Sequence, residues 1–203
     1  MKVGRIGVAG WTFATGVMVG AALAGCGGSN NPSPTHSSSA APSDSSSVAS
    51  PSPGQPTDYS AILIKPTDIP GDLTVPQPPV LNPNNASGVA QLFASADNKR
   101  RIGDSILIFA DPATAAAGVE TTRANYGGKV SGTWQLVDVG SNGTMIYGTS
   151  PDNAQPVTVV LFSEGKALVN LEFHSAPGDP IDPGMAIDIG RKQDAAIKKG
   201  MPG

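Results

Sequence analysis

From residue 88 onward apolar and polar positions alternate with the period of strands, interrupted by two stretches of helical period. Residues 89–94 and 101–110 are two strand-like runs, the second holding the strongly apolar Ile106-Leu107-Ile108-Phe109. Asp97-Asn98 between them is a turn signal, so the pair predicts a hairpin. Four more strands are predicted over 132–139, 144–149, 155–162 and 166–174. Ser141-Asn142-Gly143 separates the first two, and Glu164-Gly165 joins the last two tightly. In the last run Val169, Leu171 and Phe173 alternate with Asn170, Glu172 and His174, giving one buried and one polar face.

Helices are signalled twice. Asp111 is a good N-cap and Pro112 suits a first helical position, so a helix is predicted over 113–126, stopped by Gly127-Gly128. It is rich in alanine and can lie close against a sheet. Asp182-Pro183 repeats the signal ahead of a second helix with a stripe of Ala186, Ile189, Ala196 and Ile197, and Lys198 and Lys199 suit the negative end of its dipole. Ahead of the strands, a short apolar run at 61–64 ends at Lys65-Pro66. Pro70, Pro76, Pro78, Pro79 and Pro83 then predict irregular backbone with an edge strand near 73–75. Two strands, a helix, four strands and a helix lack the strand–helix alternation of a doubly wound sheet. The order predicts an α+β fold, a mainly antiparallel sheet with two packed helices.

The amino terminus has a different pattern. Lys2 and Arg5 precede an uncharged stretch from Ile6 to Ala22, followed by Leu23, Ala24, Gly25 and Cys26. A basic start, an apolar stretch and small residues are the parts of a secretory signal. The apolar stretch is near the short limit for a membrane span and contains several glycines. Leu23-Ala24-Gly25-Cys26 resembles the lipobox of bacterial prolipoproteins at all four positions. The resemblance implies diacylglycerol on the Cys26 thiol and cleavage before it. Residues 1–25 are then a lipoprotein signal peptide and Cys26 the first residue of a chain anchored to the outer side of a cell membrane. Two or three acyl chains would anchor stably where one binds only marginally. Cys26 is the only cysteine, so no disulfide forms within the monomer.

Residues 26–57 follow as the lipidated cysteine and a tether almost entirely of Gly, Ser, Asn, Pro, Ala and Thr, with one charge (Asp44) and no large side chain except His36. Such a composition buries too little apolar surface to offset its ordering entropy, so the segment reads as a flexible linker reaching on the order of 30 Å. Ser/Pro-rich exported tracts are also substrates for O-glycosylation. Residues 58–203 form one globular domain, long enough to bury a core.

Charge and chemistry narrow the domain's role mostly by exclusion. Setting aside Lys2, Arg5 and Asp44, residues 58–203 carry 11 Lys/Arg and 15 Asp/Glu, a formal −4, which argues against nucleic acid as a partner. The domain has one histidine, His174, on a strand's polar face, and no Gly-x-Ser-x-Gly elbow. One histidine with scattered carboxylates lacks zinc spacing, and neither a P-loop nor a dinucleotide fingerprint occurs, so no metal or cofactor is expected. Asp179 and Asp182 could approach calcium, but a turn plus a helix cap accounts for them, since calcium needs six or more oxygens. Lys99-Arg100-Arg101 is the only basic cluster; it either docks an anionic headgroup, with Arg100 and Arg101 as ligands, or keeps a hairpin tip soluble. Trp134, after a glycine-rich turn, could stand at a pocket mouth.

Lipobox, Ser/Pro tether, element order and the segment 106–117 (Ile-Leu-Ile-Phe-Ala-Asp-Pro-Ala-Thr-Ala-Ala-Ala) together resemble mycobacterial cell-envelope lipoproteins of the LpqN type, whose fold is related to the photosystem protein PsbP and to Mog1. The resemblance spans about residues 58–200. It implies a non-catalytic binding or accessory module meeting an envelope lipid, glycolipid or protein, and carries over no site residues. Two alternatives stand beside it. One is a carboxylate-based envelope hydrolase using Glu172 and Asp138; the other is a purely structural surface lipoprotein.

Overall fold

The computed structural model describes residues 57–152 and 154–201. The signal segment, Leu23, Ala24, Gly25, Cys26 and His36 lie outside the described residues. The fold is α+β. Eight strands form an all-antiparallel sheet: β1 (Leu73–Thr74), β2 (Val80–Leu81), β3 (Gly88–Ser95), β4 (Arg101–Ile108), β5 (Gln135–Leu136), β6 (Ser141–Thr149), β7 (Pro156–Glu164) and β8 (Ala167–His174). Their order is β1-β3-β4-β8-β7-β6-β5, with β2 sharing the outer edge of β3. Two helices, α1 (Pro112–Asn125) and α2 (Pro183–Gly200), complete the fold.

Both helix starts form as their sequences dictate. The Asp111 carboxylate accepts the Thr114 amide at 2.8 Å and the Asp182 carboxylate accepts the Met185 amide at 3.0 Å, each satisfying an otherwise orphaned N–H. Pro112 and Pro183 occupy first positions, where the missing N–H costs nothing. The β3–β4 hairpin is also as expected.

Three local expectations shift. The strand expected over 132–139 shrinks to Gln135–Leu136. The residues around it serve as a cover for the β6 edge, through the Ser131–Thr149 bridge and a Val137 N–H to Gly143 carbonyl bond. The expected turn at 141–143 is instead the start of β6, where a register shift between Ser141 and Thr144 accommodates Asn142 at φ +56°. At the β7–β8 hairpin Glu164 pairs with Ala167, so the two-residue loop is Gly165-Lys166, with Gly165 at φ +52°.

The larger difference concerns the faces of β8. Both are covered. Val169, Leu171 and Phe173 join Val160, Phe162, Val89, Phe93, Ile102 and Ile106 under α2 and the amino-terminal segment 59–73. On the opposite face Leu168, Leu161, Val159 and Ile146 pack with Val119, Tyr126 and Val130 of α1 and the loop after it. The face expected to be polar therefore lies beside a helix, and this position creates the cluster described next. A buried glutamine stitches the amino-terminal segment to α2. Gln193 accepts the Ile64 amide at 3.0 Å and donates to the Ile62 carbonyl at 2.6 Å.

Candidate functional site

Strand alternation puts Asn170, Glu172 and His174 in a row on the α1 side of β8. The last turn of α1 lays the Tyr126 ring across that row, and the chain can then reverse because Gly128 takes φ +77°. The Tyr126 hydroxyl donates to Glu172 Oε2 at 2.7 Å, and Asn170 Nδ2 donates to the same hydroxyl at 2.8 Å. His174 Nε2 stands 2.6 Å from Glu172 Oε1. On the neighbouring strand Gly103 lies opposite Glu172 and Arg101 opposite His174. Glu172 thus has no side chain beside it on the β4 side. Trp134 meets the Tyr126 ring edge-on with centroids 6.1 Å apart, and Lys129 Nζ lies 5.6 Å over that ring.

The electrostatics follow from this packing. Burial works to raise the Glu172 carboxyl, but hydrogen bonds from His174 and Tyr126, with the nearby charge of Lys129, outweigh it and hold the group below the usual glutamate range. Burial raises the Tyr126 phenol, and the Glu172 charge pushes it further. The unit is an ionised carboxylate with each oxygen engaged, next to a phenol that stays neutral. Such an arrangement can fix the orientation of His174 and present it, partly exposed, to a polar group. Using Glu172 as a base would first require breaking a short bond.

The residues singled out from the sequence are distributed as follows. Trp134 and Arg101 border this cluster. Arg100, although adjacent to Arg101, points elsewhere and makes a two-pronged pair with Asp179 at 2.9–3.3 Å. That pair ties the basic hairpin tip to the turn before α2, each charge partly offsetting the other. Asp182 is a helix cap. Asp138 lies on the α2 side of the molecule, its side chain 98 % exposed and paired to Arg191 at 3.4 Å, so it is on the other side of the sheet from Glu172. The carboxylate pair suggested by the sequence is not brought together. No group of three or more His, Cys, Asp or Glu side chains placed to hold a metal occurs among the described residues.

Two features were missed in the sequence. Tyr126 completes the cluster, and only the helix-to-strand contact brings it to the polar row of Asn170, Glu172 and His174. Asp104 is a buried carboxyl in the middle of β4, with neither oxygen hydrogen-bonded among the described residues. It faces the α2-side core between Gln91 of β3 and Leu171 of β8, and burial pushes its carboxyl up to about 8. A separate open cleft of about 550 Å³ lies at the start of α2, lined in part by Pro70, Met185, Ile189 and Asp188. Lys192, also on its wall, is held by the Asp68 carbonyl.

No protein-family model matches the sequence, and no curated protein matches it either. Among solved structures the fold is similar to the extracellular domain of PknH from Mycobacterium tuberculosis. The alignment covers 71% of this chain and 98% of that domain, with a TM-score of 0.51 and 12% identity. At that identity the likeness establishes a shared fold.

Proposed function

We propose that the protein is a lipid-anchored, extracytoplasmic lipoprotein whose domain is a binding or accessory module of the cell envelope. The observation that carries this reading is Leu23-Ala24-Gly25-Cys26, a four-position lipobox at the end of an apolar stretch led by Lys2 and Arg5. Lipid on Cys26 would hold the domain outside the membrane on the Ser/Pro-rich segment 27–57. The fold shared with PknH supports the placement, since that domain is itself extracellular. An accessory role is supported by the state of the polar groups. Glu172 is committed to Tyr126 and His174, and Asp138 is on the far side of the sheet. The partner would be an envelope lipid, glycolipid or protein.

Metabolic labelling with an alkyne fatty acid tests the anchor. The full-length chain should incorporate label and fractionate with membranes. Cys26→Ala should lose the label entirely and accumulate as uncut precursor or appear in the medium. Label that survives Cys26→Ala would overturn the reading.

A further inference from the structure

The carboxyl end of β8 brings together hydrogen-bonding side chains from three neighbouring parts of the sheet. Arg101 of β4 is the direct cross-strand partner of His174 of β8, and Val157 of β7 flanks His174 on its other side. Directly paired residues share a face, so Arg101 and His174 stand side by side on the α1 side, with Cβ atoms about 4.5–5.5 Å apart. Gln155 lies immediately ahead of β7. Arg101 Nη2 donates to Gln155 Oε1 at 3.4 Å, so the guanidinium reaches across the end of β8, past His174. Gln155 is itself held in place. Its N–H donates to Ser150 Oγ at 3.2 Å, and its carbonyl accepts the Ser150 N–H at 2.9 Å.

His174 is oriented from below. Glu172 engages Tyr126 through Oε2 and His174 through Oε1. Because that carboxylate is ionised, His174 Nε2 is the protonated nitrogen of the contact, and Nδ1 belongs to the part of the ring turned away from Glu172. The His174 side chain is 19 % exposed, and Arg101 and Gln155 are half-buried, so solvent reaches the group. The charged and titratable members of the cluster are Arg101 of β4, Glu172 of β8, Tyr126 of α1 and Lys129 of the loop after it. The Lys129 charge is felt at Glu172. Two cations thus accompany one carboxylate, in a domain with an acidic balance. Arg100, the neighbouring cation in the sequence, is turned away to Asp179.

The donors select the ligand. An arginine fork alone satisfies a planar carboxylate. A fork joined by an imidazole N–H and the amide N–H of Gln155 suits a group whose oxygens point in several directions, which is the geometry of a phosphate. For Nδ1 to donate, the ring must carry both protons, and it then lies between two negative groups, Glu172 on one side and the phosphate on the other.

We infer that Arg101, His174 and Gln155 form a binding site for a phosphate group, with Glu172 and Tyr126 holding His174 in position. A phosphate ligand presupposes the binding-module reading above and names its chemistry. It does not require lipid at Cys26, so the labelling experiment and the one here can fail separately.

The test follows histidine side-chain signals by NMR in the ¹⁵N-histidine-labelled full-length chain, held in neutral maltoside micelles. His174 and His36 are the two histidines of the chain, so the second is an internal control. One arm adds inorganic phosphate against sodium chloride of equal ionic strength. The other mixes phosphatidylglycerol into the micelles against the same amount of diacylglycerol. A saturable shift of His174 alone, with the doubly protonated ring favoured, is the expected result. A response to phosphatidylglycerol and not to diacylglycerol assigns the site to a lipid headgroup; a response to inorganic phosphate alone assigns it to a soluble phosphate compound. Arg101→Gln should weaken binding about tenfold, the loss of a charge-assisted fork. Arg101→Lys keeps the charge without the fork, should weaken it several-fold, and supplies a second measure if Arg101→Gln does not fold. Arg100→Gln should bind as the parent does. No saturable response to either probe, an equal shift at His36, or binding lost as much in Arg100→Gln as in the Arg101 variants would overturn the proposal.

Discussion

Asp104 is flanked two residues away on each side by Ile102 and Ile106, both in the α2-side core, and strand geometry carries it inward with them. Its folded-state carboxyl lies near 8 and its unfolded one near 3.8, so the folded chain holds a proton that the unfolded chain releases between those values. The contribution to stability is full below about pH 4 and is lost as pH rises toward 8. Asp104→Asn keeps the shape and removes the charge. In urea titrations the parent should lose several kcal/mol between pH 5 and pH 8, while the variant stays nearly level across that window. Parallel curves for the two proteins would show that Asp104 is solvated or paired after all. Periodicity alone could have assigned this residue to the core, because Ile102, Asp104 and Ile106 share a parity. The Arg100–Asp179 pair could not be read in the same way. Its partners are 79 residues apart, and each had a self-sufficient local explanation as a basic tip or a turn aspartate.

At the scale of elements, caps and alternation located both helices and the long strands, because those signals are local. The faces were harder to read. β8 has a polar-looking row, yet α1 rests against it, and the helix achieves this with small residues. A Cβ at Gly118 would come within 2.8 Å of the Leu168 side chain and 3.2 Å of Phe109. Ala115, Val119 and Thr122 bury the same side of the helix. Gly118→Val should therefore lower stability by roughly 1–3 kcal/mol through overpacking. Helix propensity alone predicts a small change in the opposite sense. Ala117→Val, at an exposed position on the same helix, serves as the control and should cost only a few tenths of a kcal/mol. Equal melting temperatures for the two variants would mean that α1 stands further from the sheet than these distances indicate. The strand expected at 132–139 failed for a related reason. Its apolar members, Trp134, Leu136, Val137 and Val139, go to four different places: the Tyr126 ring, solvent, the β6 edge and the α2 core. No single periodicity describes them.

At the scale of the whole molecule, the open question is where the folded unit begins. Composition puts the boundary at residue 58, and the contacts of the segment that follows it set what a truncation there would cost. The Asp58 carboxylate accepts the Ser60 amide at 2.8 Å, opening a turn that delivers Ile62 and Ile64 to the core at 2 % and 4 % exposure. Gln193, fully buried in α2, uses both ends of its amide on the backbone of that segment. Removing residues before 57 should leave the melting temperature unchanged, since Ile62, Ile64 and the Gln193 bonds all remain. Starting the chain at 66 removes two buried isoleucines, about 1.5–3 kcal/mol each, and leaves a buried amide without either partner, about 1–3 kcal/mol more. Against the 5–15 kcal/mol typical of a domain, that loss should leave the shorter chain largely unfolded at 37 °C, or melting at least 15 °C lower by circular dichroism. Gln193→Leu in the longer chain separates the two contributions. It keeps the isoleucines in place and should show only the amide-related part of the loss, so a Gln193→Leu effect as large as the truncation would mean that the segment contributes through its hydrogen bonds and not through its apolar side chains.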